Sequence, residues 1–354
     1  MKRLIIADVK SFNNGGKSTG HYFSIAQNYL DLYGEVVETK VAGGQIYQSG
    51  FDKSVLFQLP YNSDSWSSSI KNKLHTLLNC RYLFKKTGTD DVIVMQHSGA
   101  STTFLGIALY AKKRNNIYVI QYDTDAISSF VKRWIFSLAK KRIKGFICPS
   151  ERIAESYGVK GCVVTDYIYQ EKGQIVRLPY KDRKYDFVLV GNIAKDKGVV
   201  EAATLFAGTR YRVLIAGKGE ESYMQILENV CKAAGNIELH LGYVDAVDYY
   251  RYIKEARYCM LNYSGVYSDR SSGVVLDVLF NGTPIVGHRC KALSFVEREN
   301  VGILFDDISN FDPEEVLNEN DYNKYRDGID KFLAKQKYLR DKVIDFLNLK
   351  LQYK

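Results

Sequence analysis

The sequence predicts an α/β chain built from two parallel-sheet domains, and three observations carry that reading. Its 354 residues exceed what one common core usually organises. A buried strand, a glycine pair and a helix follow one another at the N-terminus, over residues 4–9, Gly15-Gly16 and 22–32. The same succession restarts at residue 185, where an apolar strand runs into Gly191 and a lysine-bearing loop before the next helix. Strand, glycine turn and helix form the first unit of a Rossmann-like domain, so each half is read as one such domain.

The totals agree. At 46% hydrophobic and 25% charged residues the composition is that of a soluble globular protein with material for two cores. No apolar run approaches the roughly 18 residues of a bilayer span. The N-terminus reads as a short strand with an early acid, not a signal peptide. The six cysteines show no Cys-x-x-Cys spacing and sit in apolar surroundings. Reduced core thiols of a cytoplasmic protein are expected, rather than disulfides or a metal site. The net charge of +9 is uneven: residues 1–170 hold 22 Lys+Arg against 13 Asp+Glu, and the remainder holds 27 against 27. That asymmetry points to an anionic partner for the first domain. Nucleic acid is not expected, because clustered aromatics with a basic stripe are missing.

In the first half the strand over 4–9 leads into a glycine-rich turn over 11–21 and a helix over 22–32 ended by Gly34. Gly16-Lys17-Ser18 is not a phosphate loop of the Walker kind, since Ser11 stands where that motif needs glycine. A second strand is read over 36–41, a polar loop or short hairpin over 43–69, and a helix over 70–83. Strands over 91–97 and 116–123 flank a helix over 103–113. Ligands of parallel sheets gather at the carboxyl ends of strands. His97 and the Gln121-Tyr122-Asp123 tip therefore fall on the ligand side, although a hydrogen-bonded strand end is an equally plain reading of His97.

The stretch 131–145 reads as a basic helix. Trp134, Ile135, Phe136, Leu138 and Ile143 run beside Lys132, Arg133, Lys140, Lys141, Arg142 and Lys144. Such a helix suits an anionic membrane surface; a domain helix with a solvated basic side is the alternative. A strand over 145–150 and a helix over 151–157 complete the half. The polar connection over 170–183, containing Pro179, sets the boundaries at 1–172, 173–335 and a final helical stretch over 336–354.

In the second half, Lys195 and Lys197 follow the first strand, where a lysine can neutralise a departing diphosphate; exposed loop lysines are the other reading. Gly217 ends the next strand. A third strand runs into Gly242-Tyr243-Val244, followed by a helix over 247–256 and a strand over 258–263. The stretch 267–287 then sets Asp269 and Asp277 either side of a helix start. Ser271 or Ser272 can cap that start, and Gly273 lets a ligand approach bare backbone. Asn281-Gly282 stops the helix, Pro284 prevents its continuation and Ile285-Val286 open a strand. A helix N-terminus of this kind suits a diphosphate; a turn carrying two solvated aspartates is the plainer reading. The last strand spans 301–305, and 322–349 reads as one or two amphipathic helices.

The Asp269-x7-Asp277 spacing, with Gly273 between them and Asn281-Gly282-Thr283-Pro284-Ile285-Val286-Gly287 after them, resembles the acidic-x7-acidic signature of family 4 retaining glycosyltransferases of the GT-B fold. That family usually carries two glutamates, and an arginine where Asn192 stands; Lys197-Gly198 matches its second basic position. The resemblance implies two Rossmann-like domains facing a cleft, with the last helix crossing back to the first domain. It implies sugar transfer from a nucleotide-diphosphate donor with retention, and needs neither metal nor other cofactor. Asp269 would hold the donor sugar, Asp277 the ribose, and the amides of Ser272, Gly273, Val274 and Val275 the phosphates with Lys197. Gly15, Gly16, Asn192, Lys195, Gly217 and the backbone of Gly242, Tyr243 and Val244 would complete the donor site. His97 joins Asp269 and Lys197 as a catalytic candidate, and Tyr122 with Asp123 marks the acceptor side. The acceptor is expected to be a surface-polysaccharide or lipid-linked glycan intermediate, met at the inner membrane face, and a homo-oligomer is compatible with this reading. A sugar-nucleotide epimerase and a non-catalytic nucleotide-sugar-binding protein are the competing readings.

Overall fold

The computed structural model describes residues 3–12, 21–63, 69–96, 101–164, 168, 177–268 and 272–349. The chain divides into two compact units, Met1–Ile168 with Tyr338–Lys354, and Tyr169–Lys337.

Unit 1 holds seven parallel strands in the order β3-β2-β1-β4-β5-β6-β7. They are β1 (Arg3–Ala7), β2 (Glu38–Gly43), β3 (Leu56–Gln58), β4 (Val92–Met95), β5 (Asn116–Ile120), β6 (Ile143–Cys148) and β7 (Gly161–Val163). The central strands are apolar on both faces because both are covered. Leu4 and Ile6 face α1 (His21–Tyr33), together with Val343, Ile344 and Leu347 from the end of the chain. Ile5 and Ala7 face α2 (Ile70–Lys86), α3 (Ser101–Tyr110), α4 (Phe130–Lys140) and α5 (Glu151–Tyr157). Short polar side chains start two of these helices: Ser69 accepts from the Asn72 amide, and Ser129 from that of Lys132.

Unit 2 holds six parallel strands in the order β10-β9-β8-β11-β12-β13. These are β8 (Tyr185–Ile193), β9 (Val213–Gly219), β10 (Ile237–Leu241), β11 (Ala256–Leu261), β12 (Ile285–His288) and β13 (Gly302–Phe305). Its helices are α6 (Val199–Phe206), α7 (Glu221–Cys231), α8 (Ala246–Glu255), α9 (Gly273–Phe280), α10 (Phe295–Arg298), α11 (Pro313–Val316) and α12 (Glu319–Phe346). The residues of α12 from Tyr338 onward belong to unit 1. The two Rossmann-like sheets expected from the sequence are both present, and every strand pair in them is parallel.

Several boundaries differ from the sequence reading. The 43–69 stretch contains no hairpin among its described residues: a turn over Gln45–Ser49 leads to β3, which pairs parallel with β2. The basic helix ends at Lys140, and Ile143 and Lys144 belong to β6. Sequence periodicity ran the helix on because Ile143 keeps a helical spacing, yet its side chain is buried as a strand residue. Of the one or two helices read over the last stretch, the structure has one, α12, which starts earlier, at Glu319, and ends at Phe346. Cys80, Cys148, Cys162, Cys231 and Cys259 are buried free thiols, and Cys290 is partly exposed. Among the described residues no group of His, Cys, Asp and Glu could hold a metal ion, and no helix is long and apolar enough to cross a membrane.

Candidate functional site

In unit 2, β8 and β11 are neighbours, and the strand order reverses direction between them. Open parallel sheets bind ligands at the carboxyl ends of strands around such a switch point. Residues from β8, the turn after it, the end of β11 and the start of α9 meet there.

The β8 end is shaped by glycine. Gly191 has φ +104, and a Cβ there would meet Val274 Cγ2 at 3.0 Å and Lys197 Nζ at 3.9 Å. A Cβ on Gly217 would lie 1.7 Å from the Gly191 carbonyl oxygen. Gly217 is thus required by the approach of β9 to β8, whatever it does for a ligand.

Residues Lys195–Lys197 form a single turn closed by Gly198 at φ 58, whose amide donates to the Lys195 carbonyl at 2.9 Å. This turn separates two lysines that look alike in sequence. Lys195 stays exposed, whereas Lys197 is turned inward to 8% exposure, its Nζ 5.7 Å from the centre of the Tyr263 ring. Burial pulls the Lys197 ammonium down to about 8. Asn192, which stands where the resembled family has arginine, is exposed.

α9 is short because its signals are strong at both ends. Gly282 adopts φ 72, its amide donates to Leu279 O at 2.9 Å, and the Thr283 amide reaches back to Val278 O at 3.1 Å. At the other end Ser272 occupies the cap position without making a side-chain cap bond, contrary to the capping role read from the sequence. Its hydroxyl instead lies 2.8 Å from that of Tyr263, tying the end of β11 to the helix start. Gly273 and Val274 are half-buried and Val275 is buried in the first turn.

Asp277 lies one turn inside α9 and is half-buried. The Tyr249 hydroxyl on α8 donates to its Oδ2 at 3.1 Å. Burial raises the Asp277 carboxyl to about 6, and the tyrosine bond works against that rise. Beyond β10, Gly242 has φ +116 with open space where a Cβ would project, Tyr243 is 59% exposed and Val244 is half-buried. A buried cation, a helix start and a carboxylate on one sheet edge can hold an anion beside a hydroxyl-bearing group.

Unit 1 has its own switch point between β1 and β4. Asp8, just past β1, is 4% exposed, accepts from the amides of Lys10 and Ser11 at 3.1 Å each, and takes a bond from the Tyr47 hydroxyl at 2.8 Å. It therefore fixes the chain just beyond β1, at Lys10 and Ser11. Burial lowers the Lys10 ammonium, which faces Asp8 and Asp123. Gln96, just past β4, is 3% exposed with neither side-chain amide atom hydrogen-bonded. Tyr122 packs its ring 5.3 Å from that of His21, and Asp123 Oδ1 accepts from the Asp125 amide at 3.0 Å.

Lys197, Val274, Val275 and Asp277 are thus gathered in unit 2, and Tyr122 and Asp123 lie just past the carboxyl end of β5 in unit 1. Gly15, Gly16, His97 and Asp269 lie outside the described residues. Sequence reasoning missed Tyr249, Tyr263, Lys10 and Gln96. Only Lys10 and Gln96 carried a signal, as polar residues just beyond apolar strands.

No family model and no curated protein matches the sequence. Solved structures do. The E. coli trehalose-6-phosphate protein bound with UDP-2-fluoro glucose aligns with TM-score 0.67 at 10% identity, over 99% of this chain and 100% of that one. AviGT4, a glycosyltransferase involved in avilamycin A biosynthesis, aligns with TM-score 0.57 at 13% identity, over 98% and 97%. TarM of S. aureus, in a complex containing UDP, aligns with TM-score 0.56 at 13% identity, over 77% and 59%. At these identities the likeness is one of fold, and the chain has the two Rossmann-like parallel-sheet domains of the GT-B glycosyltransferases.

Proposed function

We propose that this protein is a glycosyltransferase that moves a sugar from a nucleotide-diphosphate donor to an acceptor with retention. The observation that carries the reading is the convergence of buried Lys197, the start of α9 and Asp277 at the switch point of unit 2. Lys197 and the first amides of α9 supply positive potential for the diphosphate. This reading assigns no metal or other cofactor. Asp277 accepts from ribose hydroxyls, Tyr243 and its neighbours flank the base, and Asp269 holds the donor sugar. Charge building on the departing diphosphate is met by Lys197, so leaving-group departure needs no protein nucleophile. Residues 1–172 would carry the acceptor, with Tyr122 and Asp123 on that side. The ligands bound in two fold neighbours, UDP-2-fluoro glucose and UDP, support a uridine nucleotide as the first donor class to try.

The acceptor we infer is a lipid-linked or surface-polysaccharide intermediate, met at an anionic membrane face. α4 buries Phe136 and Ala139 but leaves Phe130, Val131, Trp134 and Leu138 at 77, 63, 57 and 40% exposure. Lys132, Arg133, Lys140 and Lys141 accompany them. Apolar side chains within a basic surround suit insertion at an anionic headgroup layer.

Thermal unfolding with UDP, GDP, ADP and CMP and their sugar conjugates tests the donor site. A ligand at 100 times its dissociation constant adds roughly 2.7 kcal/mol, a visible shift. Failure of every nucleotide to shift the transition refutes the reading. Product analysis with the stabilising donor then separates transfer from epimerisation and from binding alone.

A further inference from the structure

We propose that Tyr249 is a positioning residue for the donor: its hydroxyl pins one oxygen of Asp277 so that the other is presented to a ribose hydroxyl. The inference rests on the glycosyltransferase reading and deepens its nucleoside side.

The pair joins two helices 28 residues apart in sequence. α8 starts with the Asp245 side chain accepting from the Asp248 amide at 2.9 Å, which fixes the turn that carries Tyr249. Asp277 is fixed from the other side, since α9 is bounded by Ser272 and the left-handed Gly282. Across that gap the Tyr249 hydroxyl donates to Asp277 Oδ2 at 3.1 Å. A carboxylate on an unbraced helix would rotate about its side-chain bonds; with one oxygen occupied, its plane and its second oxygen are set before a ligand arrives.

The bond also governs ionisation. Burial pushes Asp277 up to about 6, and donation by Tyr249 stabilises the charged form and opposes that push. The groups around it stay neutral near pH 7. On α8, Tyr250 is raised to about 12 and Tyr249 well above its ordinary range, both chiefly by burial. From β11 the Cys259 thiol, which faces Tyr249, is raised to about 12 by burial. Lys197, which faces Cys259, is the next charge and titrates near 8. Asp277 is therefore the group of this patch that changes charge on the acid side of neutrality, and an acceptor for two hydroxyls must be ionised to work. Loss of the tyrosine hydroxyl moves that titration upward.

The test uses the full chain and the glucose conjugates of UDP, GDP and ADP, whose esterified diphosphates, unlike a free terminal phosphate, do not titrate near pH 6, with affinity measured by calorimetry between pH 5 and 8. For the wild type, affinity for the bound nucleotide falls as pH drops through about 6. In Tyr249→Phe the same limb moves upward by about one pH unit, the scale of one lost bond to a charged group. At pH 8, where the carboxylate is ionised in both proteins, most of the wild-type affinity returns. Asp277→Asn keeps the shape of the side chain and abolishes the limb. A wild-type limb that Tyr249→Phe leaves in place overturns the role of Tyr249 while leaving the donor site standing. A wild-type chain that binds none of the three removes the donor site and this inference together. If Tyr249→Phe fails to fold, a limb retained by Asp277→Asn still overturns the proposal, because the titrating group is then not Asp277.

Discussion

Replacement of Lys197 by methionine separates what this residue costs the fold from what it does for a ligand. The side chain is 8% exposed and burial lowers its ammonium from 10.5 to about 8. At about 1.4 kcal/mol per pKa unit, the depression corresponds to roughly 3 kcal/mol borne by the folded state. The folded value lies below the unfolded one. The penalty is therefore complete below about pH 8, and the wild type gains stability as pH rises from there toward 10.5. Lys197→Met has similar length without charge, so its unit 2 should unfold several degrees above wild type at pH 7 and lose the rise above pH 8. Binding should move the opposite way: without the buried cation, affinity for a nucleoside diphosphate falls by about 100-fold, the worth of a charged bond in a dry site. Thermal unfolding from pH 6 to 10 and calorimetric titration of the same two proteins decide the matter. A variant less stable than wild type at pH 7, or one that binds the diphosphate equally well, would refute the assignment of Lys197 as a strained phosphate cation.

Two further outcomes follow from other parts of the chain. Gly217→Ala places a methyl 1.7 Å from the Gly191 carbonyl oxygen and should cost unit 2 several kcal/mol, or its folding, as seen by circular dichroism and a lowered melting temperature; wild-type stability would mean that β8 and β9 do not approach so closely. Trp134→Ser with Phe130→Ser should release the protein from anionic phosphatidylglycerol vesicles that retain the wild type in low salt, with nucleotide affinity unchanged; equal retention of both proteins would leave α4 as solvated surface.

The parallel sheets were legible because their strands are written as unbroken apolar runs bounded by glycine and polar tips. α9 was equally legible, since Gly273, Asn281-Gly282 and Pro284 mark its limits by backbone chemistry alone. The α4–β6 boundary was not, because Ile143 satisfies both a helical period and a buried strand. Nor could a sequence distinguish Lys195 from Lys197. Which of two loop lysines turns inward depends on a one-turn helix closed by Gly198 against Asn262, and that is decided by packing. Tyr249 was invisible for a related reason: its partner is fixed by the crossing of two helices, not by spacing along the chain. The cap assigned to Ser272 failed because a buried tyrosine hydroxyl competes for the same oxygen.

The free thiols give the molecule a built-in clock. Unit 1 buries three, unit 2 buries two, and Cys290 of unit 2 alone is partly exposed. Cys80, Cys231 and Cys259 are held as thiols well into the alkaline range by burial, and a thiol reacts with an alkylating label chiefly through its thiolate. Under native conditions Cys290 should be modified first, while the remaining five wait for an opening event. Timed alkylation followed by peptide mass analysis would then read the opening rate of unit 1 from Cys80, Cys148 and Cys162 and that of unit 2 from Cys231 and Cys259. The two halves of the chain can thus be timed separately, in one tube, without cutting them apart or adding a reporter.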